Sequence, residues 1–188
     1  LMKSLIAVAI VAGLAAAPAA QAGKREGQEK FSAYAVDLEG AYGATTSVLQ
    51  IDVDRWSTPE ERRDLEVTLA EKGPEGLLAA VRKAKPVGRI HTAGSIGYDL
   101  RFAYQVPLAT GGRRIVIGTD RPLSFHEASR RPRSADYPFT VLEMRVDENG
   151  RGQGNLVVAA QVMAMGETIE LENYTTTPVR LMQVRLDR

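Results

Sequence analysis

The sharpest apolar and polar alternation in the chain runs through "GYDLRFAYQVPL", from Gly97 to Leu108. Tyr98, Leu100, Phe102, Tyr104 and Val106 fall on one face, and Asp99, Arg101 and Gln105 on the other. A period of two over this length predicts a strand with one buried face. Gly111-Gly112 then suits a two-residue turn that needs positive φ. Pairing across that turn predicts Val106 opposite Ile117, Leu108 opposite Ile115 and Tyr104 opposite Thr119. "YPFTVLEMRV" and "NLVVAAQVMAM" flank "DENGRGQG" and predict a second hairpin. Its second strand is apolar on both faces, which suits a central strand or one covered by helix. "ETIELENY" and "VRLMQVRL" flank "TTTP" and predict a third, with Ile169 opposite Val184 and Leu171 opposite Met182. Further strands are predicted at 31–40 and 45–56.

The period changes after Trp56, which reads as a packing anchor at the end of its strand. Thr58 stands as an N-cap, Pro59 follows at the first helical position, and Glu61 completes a capping box. Leu65 and Leu69 share a face; Gly73-Pro74 ends that helix, and Leu77, Leu78 and Val81 mark a second. The pattern therefore predicts a mainly β (α+β) fold. An antiparallel sheet forms a barrel or sandwich, and a helical pair at about 58–84 is inserted after the second strand.

The first segment changes the expected location. Lys3, an apolar run from Leu5 to Ala17, and Ala20-Gln21-Ala22 follow the order of a secretory signal peptide. Cleavage after Ala22 leaves 166 residues (188 less 22), a loose lead-in at 23–30 and one β-rich domain at 31–188. The run is short for a membrane span, so no transmembrane span is expected once the leader is removed. The chain has no cysteine, so its stability must come from its core. Its 24 Lys+Arg and 23 Asp+Glu balance, and loss of Lys3 makes them equal. That argues against nucleic acid as a partner, which needs a basic excess.

Candidate chemistry gathers in "TDRPLSFHEASRRPRSADYPF", from Thr119 to Phe139. Ser124, His126 and Asp120 or Asp136 are the residue types of a hydrolytic triad, giving a hydrolase as the alternative function. The strained G-x-S-x-G elbow that presents such a nucleophile is missing, and prolines at 122, 132 and 138 suit a connection between strands. Arg121, Arg130, Arg131 and Arg133 could clamp an anionic head group, or they could simply solvate a loop. Tyr98, Phe102 and Tyr104 could line a ligand cavity, or fill a core. Glu170 and Glu172 read as a wet strand face rather than a catalytic pair. His91 and His126 are the only histidines and have no zinc spacing, and no cofactor is expected.

The runs "DRWSTPEERRDLEVTL", "GLLAAV", "GSIGYDLRFA", "GGRRIVIGTDRPLSF" and "DYPFTVLEMRVD" resemble a group of exported bacterial proteins. That resemblance implies a bacterial, exported setting and carries no activity or site residue. The expectation is thus a periplasmic or secreted protein, not an enzyme, that binds a small apolar or anionic amphipathic ligand. Tyr98, Phe102 and Tyr104 would form the wall, with Arg121, Arg130 and Arg131 at the mouth. A structural protein with an envelope protein partner and no small ligand is the third reading.

Overall fold

The structure, a computed structural model, describes residues 6–8, 27–38, 45–121, 138–165, 168–173 and 178–187. In chain order the elements are β1 (Ile6–Val8), β2 (Glu29–Asp37), β3 (Thr45–Val53), α1 (Pro59–Lys83), β4 (Gly88–Thr92), β5 (Tyr98–Leu100), β6 (Phe102–Pro107), β7 (Arg113–Thr119), β8 (Phe139–Val146), β9 (Arg151–Met165), β10 (Thr168–Asn173) and β11 (Val179–Asp187). β2 begins inside the segment expected to be a loose lead-in.

The described strands form one antiparallel sheet in the order β5-β4-β3-β2-β11-β9-β8-β7-β6, with β10 on β9 and β1 on β10. The two ends of this path, β5 and β6, are separated in the chain only by Arg101. The sheet therefore curls back on itself into a nearly closed, barrel-like wall. The Leu100 carbonyl accepts from the Val87 amide (2.7 Å), and the Arg101 amide donates to the Gly118 carbonyl (2.9 Å). Barrel closure removes sheet edges that would otherwise pair with strangers.

Phe31, Leu49, Ile51, Ile115, Leu142, Met144, Leu156 and Leu181 fill the interior, each less than 2 % exposed. Small barrels are filled this way because inward side chains from facing strands meet near the axis. At the rim, Arg113 pairs with Glu29 (Nη2 to Oε2, 2.8 Å), and its guanidinium carbon stands 5.7 Å from the Phe31 ring centre and 5.9 Å from that of Trp56. Trp56 packs, partly buried, against the interior cluster, as its position at a strand end predicts.

The helix start follows the sequence closely. The Thr58 hydroxyl accepts from the Glu61 amide (3.2 Å), and Glu61 Oε2 accepts from the Thr58 amide (2.9 Å). Arg55 grips the same carboxylate through both terminal nitrogens (2.8 and 3.0 Å). The expected helical pair is replaced by a single helical element, α1, kinked within. Gly73 lies at φ 66°, ψ −168°, and Pro74 follows. Pro74 has no N–H and its ring crowds the preceding turn, while glycine takes the left-handed φ freely. The break therefore bends α1 and leaves Leu69, Leu77 and Val81 all buried.

The β8–β9 hairpin forms as expected, with Asp147 Oδ1 accepting from the amides of Asn149 and Arg151 across its turn (2.8 and 2.9 Å). β9 is central, with β8 on one edge and β10 and β11 along the other.

The other two hairpins differ from expectation. In the β6–β7 pair, Tyr104 faces Val116, Gln105 faces Ile115 and Val106 faces Arg114. Leu108 belongs to the turn, since its amide donates to the Gly112 carbonyl (3.1 Å) and its carbonyl accepts from Gly111 (3.1 Å). This longer turn slides the expected register by an odd number of residues, which exchanges the two faces. Ile115 and Ile117 consequently enter the interior, while Val116 faces outward with Tyr104. The expected β10–β11 hairpin is not formed. β9 is 15 residues long, so β11 pairs with its first half and β10 with its second, end to end. Within β11 the register shifts between Leu181 and Val184, and Gln183 has φ 51°. This bulge buries both Leu181 and Val184 and leaves Met182 exposed.

Candidate functional site

The site begins with a change of phase at Arg101. Leu100 and Ala103 both point into the barrel, although an unbroken strand would send them to opposite faces. The predicted aromatic row is therefore split. Tyr98 packs against the interior cluster, while Phe102 and Tyr104 turn to the outer wall. Their ring centres are 5.1 Å apart, in a tilted arrangement typical of aromatic pairs.

Two anchors set α1 over this wall. At its start, the Ser57 amide donates to the Ala103 carbonyl (2.7 Å), and Ser57 Oγ accepts from the Ala103 amide (3.1 Å). Ser57 thus satisfies the backbone where the barrel is seamed. At the helix end, Arg101 Nη1 donates to the Ala84 carbonyl (3.0 Å). The same guanidinium lies 3.5 Å from Asp120 and 3.6 Å from Asp99. Between these anchors Leu69, Leu77 and Val81 pack on Phe139, Val157, Ala160 and Val162 of the outer wall. Each such aliphatic side chain contributes about 2 kcal/mol by leaving water.

The packing under α1 is incomplete. A cavity of about 130 Å³ lies between helix and wall, bounded by Leu65, Leu69, Leu77 and Val81 above and by Phe102, Tyr104, Val116, Phe139, Val141 and Val162 below. Gly118 explains the space: it also lines the cavity, and a Cβ added there would meet only the Thr140 carbonyl oxygen, at 3.9 Å. Its cross-strand neighbours Phe102 and Val141 stand on either side, so the missing side chain leaves a gap in an aromatic and aliphatic floor.

Arg62 and Glu66 complete the boundary on the solvent side, with side chains 34 % exposed and 3.3 Å apart (Nε to Oε1). The Arg62 guanidinium carbon lies 5.5 Å from the Tyr104 ring centre. Burial pushes the Tyr104 phenol above its ordinary value of 10, against the opposing pull of Arg114 and Arg62, so it stays neutral. The cavity is therefore lined by apolar side chains and a neutral phenol, with one ion pair at its edge.

Of the residues singled out by sequence, the structure brings Phe102 and Tyr104 together here and places Tyr98 elsewhere. Arg121 is exposed and does not line the cavity; its carbonyl accepts from the Thr140 hydroxyl (3.0 Å). Arg130, Arg131, Arg133, Ser124, His126, Glu127 and Asp136 lie outside the described residues, as do the side chains of Glu170 and Glu172. Asp120, one candidate acid for the triad, is buried beside Arg101. His91 sits 3.3 Å from Asp52 Oδ2 on neighbouring strands. Sequence reasoning missed Arg62, Gly118 and the helix side of the cavity. The Leu65–Leu69 face was legible, but which strand face it covers was not.

Among the described residues, no group of His, Asp and Glu is arranged to hold a metal, and no helix is long and apolar enough to cross a membrane. Comparison with family models, with curated proteins and with solved structures returns no match.

Proposed function

We propose that the protein is an exported, non-enzymatic envelope module that holds a small apolar or amphipathic molecule between α1 and the barrel wall. The cavity of about 130 Å³ carries this reading. An apolar cavity of about 150 Å³ stays dry and takes up benzene, because its lining offers water no partners but gains dispersion contacts with a hydrocarbon. The filled barrel interior supports placing the ligand outside the barrel rather than along its axis. In this reading Phe102 and Tyr104 would form part of the ligand's wall beside Val116, with Arg62 at the mouth, while Tyr98 packs against the barrel interior and Arg121 lies outside the cavity lining.

Export rests on the leader pattern at 1–22. Cleavage after Ala22 would remove β1, which among the described residues pairs with β10 and lies off the barrel path. The test is organic extraction and mass spectrometry of protein purified from its own periplasm. A single small molecule recovered at near-stoichiometric yield is expected; protein that is consistently empty, or retained in the cytoplasm, would overturn the proposal.

A further inference from the structure

We infer that the outer face of β3, β2 and β11 docks on the surface of an anionic phospholipid bilayer. This face lies away from the cavity, so the inference does not rest on the ligand reading and goes beyond it. α1 packs on the wall formed by β6 to β9. On the wall formed by β3, β2 and β11, Val48, Tyr34 and Met182 are direct cross-strand neighbours and make one row. They are 45, 38 and 44 % exposed. Single exposed apolar residues are ordinary, but three side by side mark an interaction surface.

Arginines stand on both sides of this row. Arg180, opposite Val36, precedes Met182 by two residues along β11. On the other side Arg185 and Arg151 are direct cross-strand partners. Both are exposed, and they line one solvent-open depression with Asn149, Leu186 and Asp187. Like charges placed opposite each other on a sheet cost stability. Among the described residues no carboxylate is paired with Arg151, Arg180 or Arg185. A phosphate between the guanidiniums would replace that repulsion with charge-assisted hydrogen bonds. The acids of this face have other partners. Asp187 accepts from the Ser32 hydroxyl (3.0 Å), and Asp52 stands 3.6 Å from Lys30 Nζ and 3.3 Å from His91 Nε2.

Charge and shape select the bilayer as the occupant. In a second copy docked face to face about a twofold axis, arginine would meet arginine, whether the axis ran along the strands or along the apolar row. β2 and β11 each lie between two other strands, so the row presents side chains and not a strand edge. The outer wall of a barrel is convex. Its apolar side chains stand out from it and can enter a deformable lipid interface without a matching groove. Tyrosine suits the headgroup level with its hydroxyl wet, methionine and valine reach the acyl boundary, and arginines meet the phosphates.

The experiment is cosedimentation of the full chain with vesicles of phosphatidylcholine alone, and of phosphatidylcholine and phosphatidylglycerol in equal parts. Binding through the apolar run from Leu5 to Ala17 is common to wild type and variants, so comparing them cancels it. The wild type should bind the anionic vesicles more tightly than the neutral ones. The double variant Arg151→Gln, Arg185→Gln should lose about fivefold for each arginine, about 25-fold in all, on the anionic vesicles only. The double variant Tyr34→Ser, Met182→Ser should lose about tenfold. Circular dichroism confirms that both variants fold, and the arginine variant should melt no lower than the wild type, because a repulsive pair has gone. Equal affinity for the two kinds of vesicle, or anionic binding that survives either double substitution, would overturn the inference. Loss in the arginine variant alone would leave a site for a free anion. A concentration-dependent dimer abolished by Tyr34→Ser, Met182→Ser would assign the face to a second copy, and binding of polyglutamate in place of vesicles would assign it to an acidic protein. Each of these three outcomes also overturns it. None of them bears on the cavity, which organic extraction tests separately.

Discussion

Gly118→Ala should stabilise the protein, and the reason is the same gap that makes the cavity. Glycine in a strand interior costs about 0.5–1 kcal/mol relative to alanine, through the freedom its unfolded chain must give up. Gly118 gains nothing in exchange, since it is not among the glycines with positive φ and its added Cβ meets only the Thr140 carbonyl oxygen, at 3.9 Å. The new methyl group would be buried under α1 and should contribute about 0.8 kcal/mol. Together these give about 1.5 kcal/mol, which in a chain of this size raises Tm by roughly 3–6 °C. Thermal unfolding followed by circular dichroism, with a urea titration whose slope should not change, measures it. Gly152→Ala is the control. There a Cβ would collide with the Arg145 carbonyl, so Tm should fall. A Gly118→Ala protein that melts at or below the wild-type temperature would mean that the helix already fills the space, and the cavity argument would be wrong.

Arg101→Met should destabilise by about 3 kcal/mol, because Asp120 stays buried without its cation and the Ala84 carbonyl loses its donor. Adding Asp120→Asn should recover part of that loss in a double-mutant cycle, and an additive double variant would show that the pair is not coupled. Thr58→Ala should cost about 1 kcal/mol by removing the N-cap, read from the urea midpoint. Hydrogen bonds from Arg55 and then from the Thr58 amide hold the Glu61 carboxyl below its ordinary 4.5. A depressed carboxylate contributes stability above its unfolded value and loses it as pH falls through the lower folded value. Glu61→Gln should therefore flatten the decline in Tm below about pH 4.5 relative to the wild type. Leu69→Ala should cost about 2–5 kcal/mol, enlarge the cavity and admit rings larger than benzene, measured by calorimetric titration with naphthalene.

Local chemistry was legible in this sequence wherever one short segment decides the outcome. Thr58, Pro59 and Glu61 specify a helix start within four residues, and Asp147 to Gly150 specify a turn by the same kind of local hydrogen bonding. The antiparallel, barrel-like sheet was legible from the run of strands. Phase was not. The alternation through Tyr98 to Val106 looks continuous because Arg101 is polar on either reading, yet closure of the sheet requires a break there. Once the phase slips, Phe102 and Tyr104 leave the interior, and the predicted pocket moves from inside the barrel to beneath the helix. The β11 bulge hides in the same way, since "VRLMQVRL" offers apolar residues to either face. The competition between β10 and β11 for the long edge of β9 depends on where other strands lie, and no local pattern records it. Gly118 gave no signal at all, because a glycine in a strand announces a gap only when what lies above it is known.

The most direct test of the central claim is a methyl-resolved NMR titration of the protein with benzene. The cavity predicts coordinated shifts at Leu69, Leu77, Val81, Val116 and Val162, with the methyl groups of Leu49, Ile51, Ile115 and Leu156 in the barrel interior unmoved. Shifts confined to the interior set, or no shifts at benzene saturation, would contradict it.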